Sequence, residues 1–159
     1  MPESERERLL DAVTASSAAL VAIAVRSVAA GRVPVTVSQH RVLVLLEQHG
    51  TLSVTALARH LGVDQSNASR HCSRLVRAGL VHRGRDAQDG RAVELRLTPA
   101  GRHQVRAVLA ARRQEVERVL RGLPDAAVRE VAGALELFRR AADQATEELD
   151  SVAAPPSRS

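Results

Sequence analysis

Residues 51–102 constrain the fold more than any other part of the chain. The stretch TLSVTALARHLGVDQSNASRHCSRLVRAGLVHRGRDAQDGRAVELRLTPAGR parses as helix, tight turn, helix and then a hairpin. Ser53 is placed to cap the first of these helices, which runs to about Leu61 and is buried through Leu57 and Leu61. Gly62 makes the turn, and Asp64 caps a second helix that runs to about Ala78 before Gly79. Leu80–Arg83 and Ala92–Leu97 form the hairpin strands. In the latter, Val93, Leu95 and Leu97 alternate with Glu94 and Arg96, the period of a half-buried strand. The stretch also holds the charge imbalance. Between Arg59 and Arg102 nine arginines stand against four acids, an excess of five that equals the net charge of the whole chain. A concentrated basic patch on a neutral body is the electrostatic footprint of a nucleic-acid binder.

The flanks read as helices. Glu3–Ala30 carries Leu9, Val13, Leu20, Ala24 and Val28 at helical spacing, and Gly31 is placed to end it before Pro34. Ser38 is expected to cap a second helix with Val42, Leu45 and Leu46 inward and Gly50 as its stop. Thr98 followed by Pro99 starts a fifth helix that ends near Arg121 and Gly122. Pro124 opens a sixth, with Val128, Val131, Leu135, Phe138, Ala142 and Leu149. The middle of the chain is too small to bury the apolar stripes of all three long helices. The first, fifth and sixth are therefore expected to pack against a second copy, a homodimer through N- and C-terminal helices. The organisation reads as 1–34, a dimerisation helix; 35–98, the DNA-binding part; 99–150, dimerisation helices; and 151–159, a disordered tail ending AAPPSRS.

Composition excludes several classes. Phe138 is the only aromatic, which argues against base stacking and so against most single-strand and RNA-binding modes. A lone Cys72 rules out an intramolecular disulfide and suits a reducing cytosol. MPESERERLL is charged where a signal peptide needs an apolar core, and the run Ala18–Val25 reads as too short to span a bilayer. These features predict a cytoplasmic protein with no membrane partner. No pair of the six histidines shows the HxxxH spacing of a metal site, and no catalytic constellation is visible. Neither cofactor, metal nor enzymatic activity is expected.

On a helical wheel, Ala68, Cys72, Leu75 and Val76 share one face of the fourth helix, and Ser66, Asn67, Arg70, Ser73, Arg74 and Arg77 lie on the other. Residues near the start of such a helix reach base edges, which assigns Gln65, Ser66, Asn67, Ser69 and Arg70 to reading. Arg70 suits a guanine, and Gln65 or Asn67 an adenine. Arg74 and Arg77 are placed for phosphates, and the helix N-terminus adds its own donors. In the hairpin tip, His82–Arg91, Gly84 and Gly90 permit turns, while Arg83, Arg85 and Arg91 supply charge for a minor groove or flanking phosphates. Asp89 is expected to pair with an arginine and hold the loop in shape. Cys72 has two readings: a thiol made reactive by Arg70, His71 and Arg74, acting as a redox switch, or a small buried packing residue. A protein-binding or purely structural dimer module is the competing function. It calls for a recognition face without concentrated charge.

The series LARHLGVDQSNASRHCSRLVRAGLVHRGRDAQDGRAVELRLTPAGR resembles the winged helix-turn-helix of MarR-type transcriptional regulators. The LVRAGL end of the recognition helix and the wing pattern DGRAVELRLTPAG carry the match, with Asp89, Arg91, Leu95, Leu97 and Thr98 in the pattern. Upstream, VTVSQHRVLVLLEQHG resembles the family's second helix. The resemblance implies a mainly α fold of six helices with a small β-hairpin wing. It further implies an obligate dimer that binds a short palindrome in double-stranded DNA and is often released by a small-molecule inducer. It places Arg91 in the minor groove beside Asp89. The first helix lacks the reactive cysteine of the peroxide-sensing type, and the chain has no Trp or Tyr to stack on an aromatic inducer. Any inducer pocket would be an aliphatic cleft between the dimer helices and the winged part.

Overall fold

A computed structural model describes residues 3–85 and 93–153. Within them run α1 (Glu3–Ala29), α2 (Val37–His49), β1 (Thr51–Ser53), α3 (Val54–Leu61), α4 (Gln65–Arg77), β2 (Val81–Arg85), β3 (Val93–Leu97), α5 (Pro99–Leu120) and α6 (Asp125–Ala153). The chain divides into two compact units, residues 1–116 and 117–159. The mainly helical architecture with a β-hairpin is the one the sequence predicts, but the sheet has a third strand. β1 pairs antiparallel with β3, Leu52 opposite Leu95, and β3 pairs with β2 in the order β1-β3-β2. Three residues cannot show a period-two pattern, and β1 exists because β3 offers it a free edge. Its last residue, Ser53, is also the cap of α3, accepting from the Ala56 N–H at 3.1 Å. The sheet and the α3–α4 pair are thereby joined covalently and by hydrogen bonds at one residue.

The core of the first unit is aliphatic. Val42, Leu43 and Leu46 of α2, Leu57 of α3, Leu75 of α4 and Leu95 of β3 are all essentially inaccessible and form one cluster. The caps carry the turns between these elements. Gly62 closes α3 in the left-handed conformation at φ 65°, a position where a side chain would clash with the following carbonyl. The cap of α2 is Thr36 rather than Ser38. Thr36 accepts from the Gln39 N–H, and the Gln39 side chain accepts from the Thr36 N–H, a reciprocal capping box that Ser38 has no Glu or Gln three residues on to match.

Two contacts fix α5 within the first unit. The Thr98 N–H donates to the Leu80 carbonyl at 3.1 Å and its hydroxyl to the adjacent Gly79 carbonyl at 2.7 Å, and Gly101 lies so close to Leu80 that a Cβ would overlap its carbonyl oxygen. Further along, the Gln104 amide is buried and spans both polar groups of Val33, donating to its carbonyl at 2.8 Å and accepting from its N–H at 3.1 Å. His40 is buried nearby in sequence to this seam. Burial first, and the charge of Arg112 second, push it below its ordinary value, so it packs as a neutral ring.

Two expectations change. α6 continues through Ala153, so residues 151–153 are helical rather than tail; nothing before Pro155 interrupts helix geometry, and residues 154–159 lie outside the described ones. By length and composition α1 is also apolar enough to cross a membrane, with an 18-residue window of mean hydropathy 1.7 and only 17% of that window buried. The run Ala18–Val25 understated it, because further Ala, Val and Leu on either side extend the apolar window across uncharged Ser and Thr that interrupt the run. Leu9, Val13, Leu20 and Val21 are exposed on it. In the second unit, Val131, Leu135 and Phe138 are exposed along α6, beside a ladder of ion pairs from Glu136 to Arg139 and Arg140.

Gly101→Ala is expected to lower stability by about 1–3 kcal/mol through overpacking against Leu80. Urea unfolding of the two proteins checks it; an unchanged midpoint would show that the seam yields at no cost.

Candidate nucleic-acid interface

α4 presents two faces of different chemistry. Ala68, Cys72 and Leu75 are buried and Val76 is half-buried, the core face read from the wheel. Ser66, Arg70, Ser73, Arg74 and Arg77 are exposed on the opposite side, with Asn67 and Ser69 half-buried at its edges. The helix cannot roll without exposing Leu75 or burying an arginine.

At its N-terminus the polar side chains form a local network that the sequence did not reveal. Asp64, the cap, accepts from the Asn67 N–H at 2.8 Å, from the Ser66 hydroxyl at 2.5 Å and from the Asn67 side-chain amide at 2.6 Å. The Asn67 carbonyl oxygen in turn accepts from the Arg70 guanidinium. Gln65 donates to the Thr55 hydroxyl of α3 at 3.3 Å. The cap itself was legible; that its carboxylate would also gather the side chains expected to read bases was not. The Ser66 hydroxyl bond first, and the Asn67 N–H second, pull the Asp64 carboxyl from 3.8 to about 2.

Arg83 of β2 is the wing residue the fold brings to α4. It lines a cleft of about 440 Å³ with Val54, Gln65, Ser66 and Ser69, and a smaller one of about 160 Å³ with Cys72, Ser73, Val76 and Arg77. One exposed polar face thus runs from the start of α3 along α4 to the first wing strand. Arg85 ends β2 as the chain enters the tip. Asp89 and Arg91, assigned to the wing, lie outside the described residues.

Cys72 behaves as a packing residue. Burial pushes its thiol up, opposed by the charge of Arg83, which favours the packing reading over the redox one. Arg70 and Arg74 are exposed, whereas Cys72 is buried. Among the described residues no group of three or more His, Cys, Asp or Glu side chains is arranged to hold a metal ion. His49 and His60 instead stack on each other with centroids 4.7 Å apart.

The family model described as MarR family matches residues 33–92, the stretch that holds α2 to the wing. A crystal structure of Rv1404 from Mycobacterium tuberculosis superimposes with a TM-score of 0.77 at 35% identity, over 85% of this chain and 92% of that one. The chain belongs to the MarR family. The HTH-type transcriptional regulator YfiV of Bacillus subtilis (strain 168) is 29% identical over 74% of this chain and 73% of its own length. The HTH-type transcriptional repressor MdtR of the same organism is 34% identical over 54% of this chain and 56% of its own. Relatives with these names are regulators of transcription, not enzymes. The matched region contains every residue of the polar face described above.

The Asp64 network makes a pH prediction. The folded-state value lies below the unfolded one, so the cap contributes fully above roughly pH 4 and its contribution is lost as pH falls through about 2. The side-chain carboxyl resonance of Asp64 should titrate near that lower value. A midpoint in the ordinary carboxylate range would mean that the network does not form.

Proposed function

We propose that this MarR-family chain is a sequence-specific regulator that binds a palindromic operator in double-stranded DNA as a homodimer and acts as a repressor released by a small ligand. One observation carries the DNA-binding part: Arg83 of the wing strand lines the same groove as Gln65, Ser66 and Ser69 of α4. A helix face and a wing strand that share a groove present donors to base edges and to the flanking backbone together. The division of roles follows position. Gln65, Ser66, Asn67, Ser69 and Arg70 sit at the end of α4 that enters a major groove first. Ser73, Arg74 and Arg77 lie further along, where phosphates pass, and Arg83, Arg85 and Arg91 extend the charge into the wing, with Asp89 shaping it.

The homodimer is supported by unburied apolar surface. Leu9, Val13, Leu20 and Val21 on α1, and separately Val131, Leu135 and Phe138 on α6, are exposed in the single chain. Stripes of this size need a partner, and a second copy supplies it with the two-fold symmetry of a palindrome. Residues 1–34 and 99–150 are then the dimerisation parts and 35–98 the DNA-binding part. Repression agrees with the similarity to the transcriptional repressor MdtR, and ligand release rests on the family resemblance. A soluble, cytoplasmic location follows from that role.

The test is binding of the full chain to the DNA flanking its own gene, by fluorescence anisotropy at two salt concentrations with random duplex as competitor. Affinity that survives the competitor is expected. Binding abolished by both salt and competitor would favour the protein-interaction module instead. Arg77→Ala should weaken all sequences alike and reduce the salt slope by about 1, whereas Arg70→Ala should cost about 1–3 kcal/mol at one base pair only. Equal losses on specific and random duplex for both variants would refute this assignment of roles.

A further inference from the structure

The network at the start of α4 assigns the polar residues there to different tasks. We propose that Asp64 and Asn67 are positioning residues that hold Arg70 for a guanine, and that Asn67 does not itself read a base. The inference rests on the DNA-binding reading above and deepens it.

An asparagine that reads adenine bidentately needs its amide N–H₂ for the base N7 and its carbonyl oxygen for the N6 amino group. One N–H and one lone pair of Asn67 already hold charged partners, and with them the orientation of its amide is set. Its amide nitrogen donates to one carboxylate oxygen of Asp64, and its carbonyl oxygen accepts from Arg70. The other Asp64 oxygen is held by the Ser66 hydroxyl and the Asn67 N–H. Asp64 thus fixes which way the Asn67 amide faces, and that orientation presents an acceptor, not a donor, to the guanidinium. Releasing Asn67 to an adenine would forfeit two charge-assisted bonds, one to a carboxylate and one from a guanidinium, each stronger than a neutral pair.

Arg70 keeps the greater part of its capacity. A guanidinium carries five N–H donors in a planar fork, and the bond to Asn67 uses one of its terminal nitrogens. The remaining edge is planar and exposed, the geometry that matches the O6 and N7 acceptors of guanine. A long flexible side chain ordinarily loses rotamer entropy on docking. The Asn67 carbonyl restrains this one beforehand, so that less is lost when the base arrives. Ser66 is likewise committed to Asp64 through its hydroxyl proton, which leaves Ser69 as the short side chain in the groove shared with Arg83.

The experiment selects binding sequences from a randomised duplex pool with the full chain and repeats the selection with Arg70→Ala, Asn67→Ala, the double variant and Asp64→Asn. Asp64→Asn keeps an acceptor for the helix cap but removes the second oxygen that anchors the Asn67 amide, so the helix survives while the anchor is lost. We expect one guanine in each half-site to lose its preference on the order of 5- to 150-fold in Arg70→Ala. Asn67→Ala and Asp64→Asn should relax that same base pair in part, and the double variant should be no weaker than Arg70→Ala alone. A guanine analogue lacking N7 at that position should weaken the wild type and leave Arg70→Ala unaffected. Relaxation by Asn67→Ala at a different base pair, additive losses, or indifference to the analogue would overturn the proposal while leaving specific DNA binding intact. A pool that yields no preferred sequence would instead bring down the DNA-binding reading, and this assignment with it.

Discussion

One-sided burial of α4 is the constraint on which the rest of the molecule depends. Ala68, Cys72 and Leu75 enter a core that contains no aromatic residue and is filled by leucine and valine from α2, α3 and the sheet. Small, branched aliphatic side chains bury little area each, so the core gains its stability from close approach rather than from bulk. That is why glycine stands at Gly101, where α5 presses on the Leu80 carbonyl, and why β1 is recruited to the sheet over only three residues. With the inner face of α4 held in this way, the direction of every outward side chain follows.

The outward face is organised by hydrogen bonds rather than left as a solvated fringe. Asp64 performs two functions with one carboxylate: it satisfies a free N–H at the helix start and orders the side chains of Ser66 and Asn67 beside it. A negative charge there also suits the positive end of the helix dipole. The arginines follow at increasing distance from that carboxylate, Arg70 within its network and Arg74 and Arg77 beyond. The gradient along α4 runs from hydrogen-bonded polar groups to exposed cations, which matches a surface that reads at one end and grips at the other.

Much of this was legible beforehand because caps and turns are local chemistry. Ser53, Asp64 and Thr98 each cap the helix the sequence assigned to them, and Gly62 and Gly79 turn the chain with positive φ. The cap of α2 was misplaced by two residues because Thr36 and Ser38 are chemically alike, and only the reciprocal bond to Gln39 separates them. The apolar length of α1 was underestimated because an uninterrupted run was sought where a mean over the window matters. Cys72 was left with two readings for another reason: neighbours in sequence are not neighbours in space, and the charge that acts on the thiol comes from Arg83 of β2.

The sequence by itself determined the order of the elements, the buried face of α4 and the concentration of charge in residues 59–102, because periodicity, capping and charge are properties of adjacent residues. Tertiary structure decided the third strand, the seam between Leu80, Thr98 and Gly101, and the groove in which Arg83 meets α4. Each of those joins segments far apart in the chain, so its energy exists only after the core has closed. The division of labour among Asp64, Asn67 and Arg70 lies between the two: the residues are neighbours, but the orientation of one amide decides their roles, and that needs the folded helix.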